Sequence, residues 1–403
     1  MRRFILAFVL AIFMFSCARK SGGIQPGPEF SKTLQEALIA AKPGAVIELP
    51  EGKHDVDRTL SLSVDNVTIR GTGIDKTVLS FKNQKTGSAG LLVTSNGFTL
   101  QDLALEDTKG DGIKVNGATG VTFRRVRAEW TAGPNEKNGS YGLYPVQCKN
   151  VLIEDSVVKG ASDAGIYVGQ SKNIVVRRNR AEGNVAGIEI ENSQYADVYQ
   201  NTVTKNTGGI LVFNLPDLPV KGGQITRVYE NQVFENNTEN FAPKGNIVAK
   251  VPAGTGVMVM ATSHIEVFKN SIRDNQTVNV SIVSYLTTGN PMNDPGYDPF
   301  TESIYIHDNV ISGGGNAPAG RIAASLAPLL GKPLPAILYD GVMNPARLKK
   351  GKLPQEARIC IQRNGDAAFA NYDAANGGKH VDRTLAHYDC ALPSLAEVAA
   401  GGQ

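Results

Sequence analysis

An all-β solenoid, wound as a single-stranded stack of coils, is the fold class this sequence predicts, and three observations predict it. The stretch Gly165–Asn206 writes one phrase twice, 22 residues apart, so that Gly165 maps onto Gly187, Asn179 onto Asn201 and Asn184 onto Asn206. The opening of that phrase (a glycine or small residue, then apolar, any residue, apolar) begins at Gly90, Gly112, Gly142, Gly165, Gly187, Gly209, Gly256 and Asn279, with spacings of 22, 30, 23, 22, 22, 47 and 23. A fixed period near twenty with β-type alternation marks a repeat architecture, and the two long spacings are one unit plus an insertion. Finally, asparagines recur in two rows: Asn179, Asn201, Asn231, Asn270 and Asn309, then Asn184, Asn206, Asn236 and Asn275. Stacked at a turn, such amides hydrogen-bond their copies in the coils above and below, so the rows read as scaffold rather than as catalytic residues. Each unit is then one coil of three short strands. Successive coils pair in parallel at about 4.8 Å, and ten or so make a rod roughly 50 Å long.

The chain justifies this element by element. Two arginines precede an apolar run from Phe4 to Phe15, then Ser16 and Cys17, which reads as an export signal over 1–16 rather than a spanning helix. A small residue before Cys17 gives it the look of a lipoprotein signal whose cysteine becomes the acylated N-terminus. Ala18 after it, rather than Asp, resembles lipoproteins sent on to the outer membrane, so the expected address is the periplasm or outer membrane. Residues 17–30 form a polar tether. A short amphipathic helix follows, with Ser31 as its expected N-cap, Leu34, Ala37, Leu38 and Ala41 on one face, and Pro43–Gly44 ending it. Such a helix covers the first coil, whose core and edge an open solenoid would expose. Strands are expected at Val46–Leu49, Leu60–Val64, Val67–Ile69 and Val78–Phe81 before the repeat takes over. The solenoid is expected to span 31–312. Residues 313–403 lack the repeat and read as a segment capping or packing on the last coil.

Composition narrows the partners. The formal charge is +3 over 403 residues and falls to +1 once Arg2 and Arg3 leave with Met1–Ser16, which speaks against a general nucleic-acid binder. Of the four cysteines, Cys360 and Cys390 can pair in an exported protein, leaving Cys148 a lone thiol. No Cys/His spacing resembles a zinc site and no metal site is expected, although the Asn290–Asp298 loop carries enough oxygen ligands to admit calcium.

Alternation also locates a candidate site. With Ile166 and Val168 inward, Tyr167 points out, and its column reads Leu92, Lys114, Tyr144, Tyr167, Glu189, Leu211, Met258 and Ser281. Beside it lie Asp111, Tyr141, Asp163 and Glu191. Four insertions (131–138, 214–221, 237–253 and 284–299) border the same sheet as walls, and repeat proteins place insertions on the binding face. Lys114, Tyr144, Tyr167 and Glu189 are the catalytic candidates, and Asp111, Tyr141, Asp163 and Glu191 the substrate-binding ones. Tyrosine faces suit pyranose stacking, Lys114 suits a uronate carboxylate, and a Lys or Tyr of shifted pKa suits β-elimination or hydrolysis. A second outward column, Arg124, Glu154, Arg177, Tyr199, Tyr229, Phe268 and His307, reads as surface pairing between coils.

The opening ALIAAKPGAVIELPEG and VTIRGTG, followed by 22-residue coils over about 31–312, resembles the right-handed β-helix superfamily of pectate lyases. More closely it resembles exported bacterial β-helix repeat proteins of carbohydrate-binding and sugar-hydrolase type, among them a poorly characterised lipoprotein family. The resemblance implies a right-handed helix and a polysaccharide partner in the groove over the first sheet, with a lyase or hydrolase reaction if there is one. The Asn-Thr-Asp, Asp-Asp and Gly-His-Gly elements of polygalacturonases and the Arg-x-Pro-Arg stretch of pectate lyases are absent. Around Tyr141–Gln147 the chain is similar to mannuronan C5-epimerases, but Tyr144 and Val146 stand where that family has Asp and His. The alternative reading is a non-catalytic envelope scaffold that binds a protein partner along the solenoid, as copper-enzyme maturation β-helix proteins are thought to do. Fold does not choose between these.

Overall fold

The computed structural model describes residues 24–399; the signal segment and Cys17 lie outside the described residues. The chain winds into a parallel β-helix. One sheet takes a single strand from each of eleven coils, from Arg58–Leu62 to Phe369–Asn371. The remaining strands form a 19-stranded layer that bends at a corner into a second and a third face. Register is kept from coil to coil, so inward positions stack: Ile166 on Ile188, Ile210, Val257 and Val280 in the first sheet, Val158 on Ala181, Val203, Val233 and Ile272 in the third. These columns form one continuous apolar core, nearly every member fully buried.

Both asparagine rows form the expected ladders. Asn201 accepts from the backbone N–H and the side-chain amide of Asn179, both at 3.0 Å. It donates to Val176 O and Asn231 Oδ1, both at 2.9 Å. The row continues through Asn270 and Asn309 to Asn364. The residue before each rung (Arg178, Gln200, Glu230, Lys269, Asp308, Arg363) turns the corner in the left-handed region, at φ between 52° and 56°. That conformation is costly for non-glycine residues, and the Asn amide, by binding the freed backbone groups, offsets the cost. The second row explains the repeated glycine. A Cβ on Gly187 would lie 2.4 Å from Val203 Cγ1 and 2.9 Å from Asn206 Nδ2, so the phrase opens on glycine because the ladder amide fills that space. Asn279, where the phrase lacks glycine, itself becomes the last rung by accepting from Asn275 Nδ2 at 2.9 Å.

Two expectations need correction. Ser31 is not the N-cap: the helix runs Phe30–Ile39, and the Ser31 hydroxyl lies in its first turn and donates to Asp57 at 2.9 Å, tying the cap to the first coil. The solenoid also does not stop at 312. Strands Ile337–Tyr339, Ile359–Gln362 and Phe369–Asn371 add to the existing sheets in parallel register. These strands, one coil (Ile337–Tyr339 and Ile359–Gln362) and the start of the next (Phe369–Asn371), are hidden in the sequence because insertions separate them from one another and from the repeat; the one before Ile337 contains a helix, Gly320–Leu330, with an internal proline. That helix buries Leu326 and Leu330 against Val278, Leu338 and Ala370. Cys360 and Cys390 are joined in a disulfide, and Cys148 is a buried free thiol.

Candidate functional site

The first sheet's outer face divides in two. Toward the N-terminal end, Leu92, Lys114 and Tyr144 are half-exposed. Over the next three coils the same column is covered: Tyr167 is 4 % exposed, Glu189 1 % and Leu211 fully buried. This corrects the expectation of an open groove over all four catalytic candidates. Alternation sorts side chains by face of the sheet, not by access to water, and here the insertions form a roof.

The roof is built from three of the four insertions. Residues 237–253 lay Val248 and Val251 into a cluster with Tyr167, Ala186, Leu211 and Phe213. Asn240 holds this loop in shape by donating to Val248 O and Val251 O at 2.8 and 2.9 Å. Lys250 reaches Thr288 O at 3.1 Å, joining it to the 284–299 insertion. That segment is joined in turn to 214–221 by the Tyr297 hydroxyl, which donates to Asn214 O at 2.7 Å, and by the Lys221–Asp294 ion pair. The oxygens considered for calcium therefore have partners within the chain. Asp294 also accepts from Asp217 N and Gly296 N, and Asp298 accepts from Phe300 N. Among the described residues no group of three or more His, Cys, Asp or Glu side chains is placed to hold a metal ion. The 131–138 insertion stands apart beside the open half, braced by Asn138, which donates to Gly133 O and Gly160 O.

All eight sequence-predicted residues meet at the boundary between the open and covered halves. Three tyrosines form its centre: Tyr141 lies 4.5 Å from Tyr144 and 4.4 Å from Tyr167 between ring centroids, and Tyr144 meets Tyr167 edge-on at 5.0 Å. On the open side, Lys114 Nζ sits 4.7 Å above the Tyr144 ring, and Asp111 accepts from Tyr141 N at 3.3 Å. On the covered side lie three carboxyls. The Tyr167 hydroxyl donates to Glu191 Oε1 at 2.6 Å, supported by Gln170. Asn246 of the roof donates to Asp163 Oδ2 at 3.0 Å, and Tyr141 approaches the same oxygen at 3.5 Å. Glu189 keeps one carboxyl oxygen buried without a partner.

These environments set the protonation states. Burial pushes Glu191 up to about 7 although Tyr167 and Gln170 bond its charged form. Burial, and then the nearby Glu191 charge, push Asp163 up to about 7. Glu189 is raised well above the carboxylate range by burial, with Asp163 and Glu191 adding like-charge repulsion. Asp111 rises to about 6 by burial, opposed by Lys114 and the Tyr141 N–H. Burial raises Tyr144 to about 12 and holds Tyr141 and Tyr167 higher still, so all three hydroxyls keep their protons at neutral pH. Beyond Leu211 the face turns apolar and encloses a cavity of about 890 Å³, lined among others by Phe213, Met258, Met260, Val283 and Leu329.

Asn246 and Gln170 were not legible as site residues. One comes from an insertion folded back over the sheet, the other from a corner, and no column contains either. The second outward column behaves as expected. Arg124, Arg177 and Arg178 converge on Glu154, where burial works upward but the guanidiniums win and hold it at about 2. Tyr199, Tyr229, Phe268 and His307 stack at 4.8, 4.9 and 5.3 Å.

Residues 56–225 match the family model described as right handed beta helix region. No curated protein matches the chain. Among solved structures, the A-module of the mannuronan C-5 epimerase AlgE6 of Azotobacter vinelandii is similar over 73 % of this chain and 85 % of its own, at 20 % identity and a TM-score of 0.48. DFA-IIIase of Arthrobacter chlorophenolicus A6 is similar over 74 % and 83 %, at 14 % identity and 0.46. An alginate lyase of Paenibacillus is similar over 71 % and 96 %, at 17 % identity and 0.36.

Proposed function

We propose that this right-handed parallel β-helix protein binds an acidic polysaccharide on the open half of its first sheet. The observation that carries the reading is the position at which a half-exposed cation and an aromatic platform meet, Lys114 over Tyr144. Tyr144 and Tyr141 offer ring faces to the C–H face of a sugar, and Lys114 offers a carboxylate a charge-assisted bond. Occupying that bond would draw Lys114 off the Tyr144 ring and free the face for stacking. The covered half takes no sugar chain: its surface is apolar past Leu211, and a polyhydroxylated ligand there would lose hydrogen bonds to water without replacement. Asp111, with its carboxyl raised to about 6 beside Lys114, is the group best placed to exchange a proton with a bound ligand.

Calorimetric titration with oligogalacturonate, oligoalginate and neutral glucan fragments tests the reading. Binding of at least one acidic oligomer is expected, weakened about tenfold (~1.4 kcal/mol) by either Lys114→Ala or Tyr144→Ala. New reducing ends or unsaturated products in the same mixtures, lost in Asp111→Asn, would make the site catalytic. A chain that binds none of these glycans and instead retains one stoichiometric protein from envelope extract overturns the reading in favour of a scaffold.

The N-terminal segment supports an exported, lipid-anchored protein, with Cys17 as the attachment point. Metabolic labelling with palmitate should mark the wild-type chain and fail to mark Cys17→Ser. Equal labelling of both rules the anchor out.

A further inference from the structure

The last described residues do not end at the last coil. After the Cys360–Cys390 disulfide the chain reverses and runs back along the outer face of the second sheet. Leu395 N–H donates to Glu266 Oε2 at 3.0 Å, and Val398 N–H donates to Asp197 Oδ2 at 3.0 Å. Ser394 also bonds Glu266, and Glu397 lies close enough to Arg227 and Tyr229 to act on both electrostatically.

The spacing fits an extended chain. Asp197, Arg227 and Glu266 are register partners in consecutive coils, so the two acceptors stand two coils, about 10 Å, apart. Three residues of polyproline-type chain, at about 3.1 Å each, cover about the same distance. The burial pattern has the same period. Leu392, Leu395 and Val398 are half-buried, while the residues on either side of each are exposed. An extended chain with every third side chain against the sheet and two N–H groups, three residues apart, on carboxylates is a bound peptide in all but its covalent connection.

The receiving surface shows the matching features. Asp197 and Glu266 are 1 % and 3 % exposed, which is low for carboxylates on the outside of a solenoid. Arg227 neutralises Asp197 through two bonds of 2.7 and 2.5 Å, and His307 contacts Glu266 at 3.1 Å. In the same coils runs the aromatic stack Tyr199–Tyr229–Phe268–His307.

We infer that this face of the second sheet is a docking groove for an extended peptide of another polypeptide, with an apolar side chain at every third position, and that the chain's own residues 391–399 occupy it in the resting state. The tether makes the occupancy effective: a segment fixed at its base by Cys390 competes at an effective concentration on the order of millimolar. A free peptide at micromolar concentration is therefore excluded until the strap is displaced or weakened.

Fluorescence anisotropy with a labelled peptide of the sequence ALPSLAEVA tests this on the full chain. Leu395→Ser with Val398→Ser weakens the strap while leaving every strand in place. The double variant is expected to bind the peptide at least tenfold more tightly than the wild type, and adding Glu266→Gln should remove most of that gain. Equal binding by wild type and double variant, or no binding by either at millimolar peptide, overturns the inference. A wild-type chain that is dimeric by light scattering, and becomes monomeric in the double variant, also overturns it, by showing that the groove receives the tail of a second copy.

Discussion

Replacing Asn201 by alanine is expected to destabilise the protein by about 4 kcal/mol, a large fraction of the stability of an ordinary domain. The side chain makes four hydrogen bonds inside the coil stack: it accepts two from Asn179 and donates one each to Val176 O and Asn231 Oδ1. Truncation takes one bond from each of four buried polar groups on three residues; Asn179 Nδ2 keeps Ile153 O and Asn231 Oδ1 keeps the Asn201 N–H, but each lost bond costs about 1 kcal/mol or more. No water reaches the site, since Asn201 is 1 % exposed. The comparison that isolates the cause is Asn173→Ala, in the preceding coil. Asn173 is exposed and its amide donates only to Asn150 at 3.1 Å, but it holds a left-handed φ of 58° that alanine adopts less readily, so its loss should cost about 1 kcal/mol. Urea denaturation of both variants measures the difference. Similar midpoints for the two would show that the ladder is decoration.

The second large effect is a dependence of stability on pH that runs opposite to acid denaturation. Asp163 and Glu191 have folded-state values of about 7, above the ordinary range of 3.8 to 4.5, and Glu189 is raised as well. In all three the folded protein binds the proton more tightly than the unfolded chain does. Their contribution is therefore fully present below about pH 4 and is lost as pH rises through about 7. Each tenfold difference in proton affinity between the folded and unfolded chain corresponds to about 1.4 kcal/mol, so the loss amounts to several kcal/mol between about pH 5 and pH 8. At the acid end, Glu154, held at about 2 by its arginines, works the other way and is lost below its unfolded value. Stability should peak near pH 5. Glu189→Gln removes a buried acid without changing shape, so at pH 8 it should be more stable than the wild type, and at pH 5 about equal to it. Thermal melts of both proteins from pH 4 to pH 9 decide the matter. A wild-type profile that rises steadily to pH 8 would contradict the protonated cluster.

Much of the fold was legible because a solenoid repeats its physics. The glycine of each phrase, the inward Ile and Val pairs and the ladder asparagines each answer a local demand that recurs every coil, so one coil teaches the others. What does not recur was not legible. The strands at Ile337, Ile359 and Phe369 obey the same register, but they are spread over two coils with insertions between them and follow a segment that forms a proline-containing helix, so no fixed spacing marks them. The candidate site was half legible for a related reason. Alternation placed Lys114, Tyr144, Tyr167 and Glu189 in one column, and they do lie in one. Whether a column faces water depends on where an insertion folds, and Val248 and Val251 cover Tyr167 from a segment more than 70 residues further along the chain. The strap was illegible altogether, since an extended chain bound by two N–H groups leaves only a faint period of three.

Ligand binding on the open half, at Lys114, is what the proposed function stands on. An amine-selective acylating reagent followed by mass spectrometry measures this directly, because Lys114 is half-exposed while Lys109 and Lys250 are exposed elsewhere and serve as references. With a saturating acidic oligosaccharide, modification of Lys114 should slow by about tenfold while Lys109 and Lys250 react as before. Unchanged reactivity at Lys114, under conditions where calorimetry shows the oligosaccharide bound, would place the ligand elsewhere and contradict the claim.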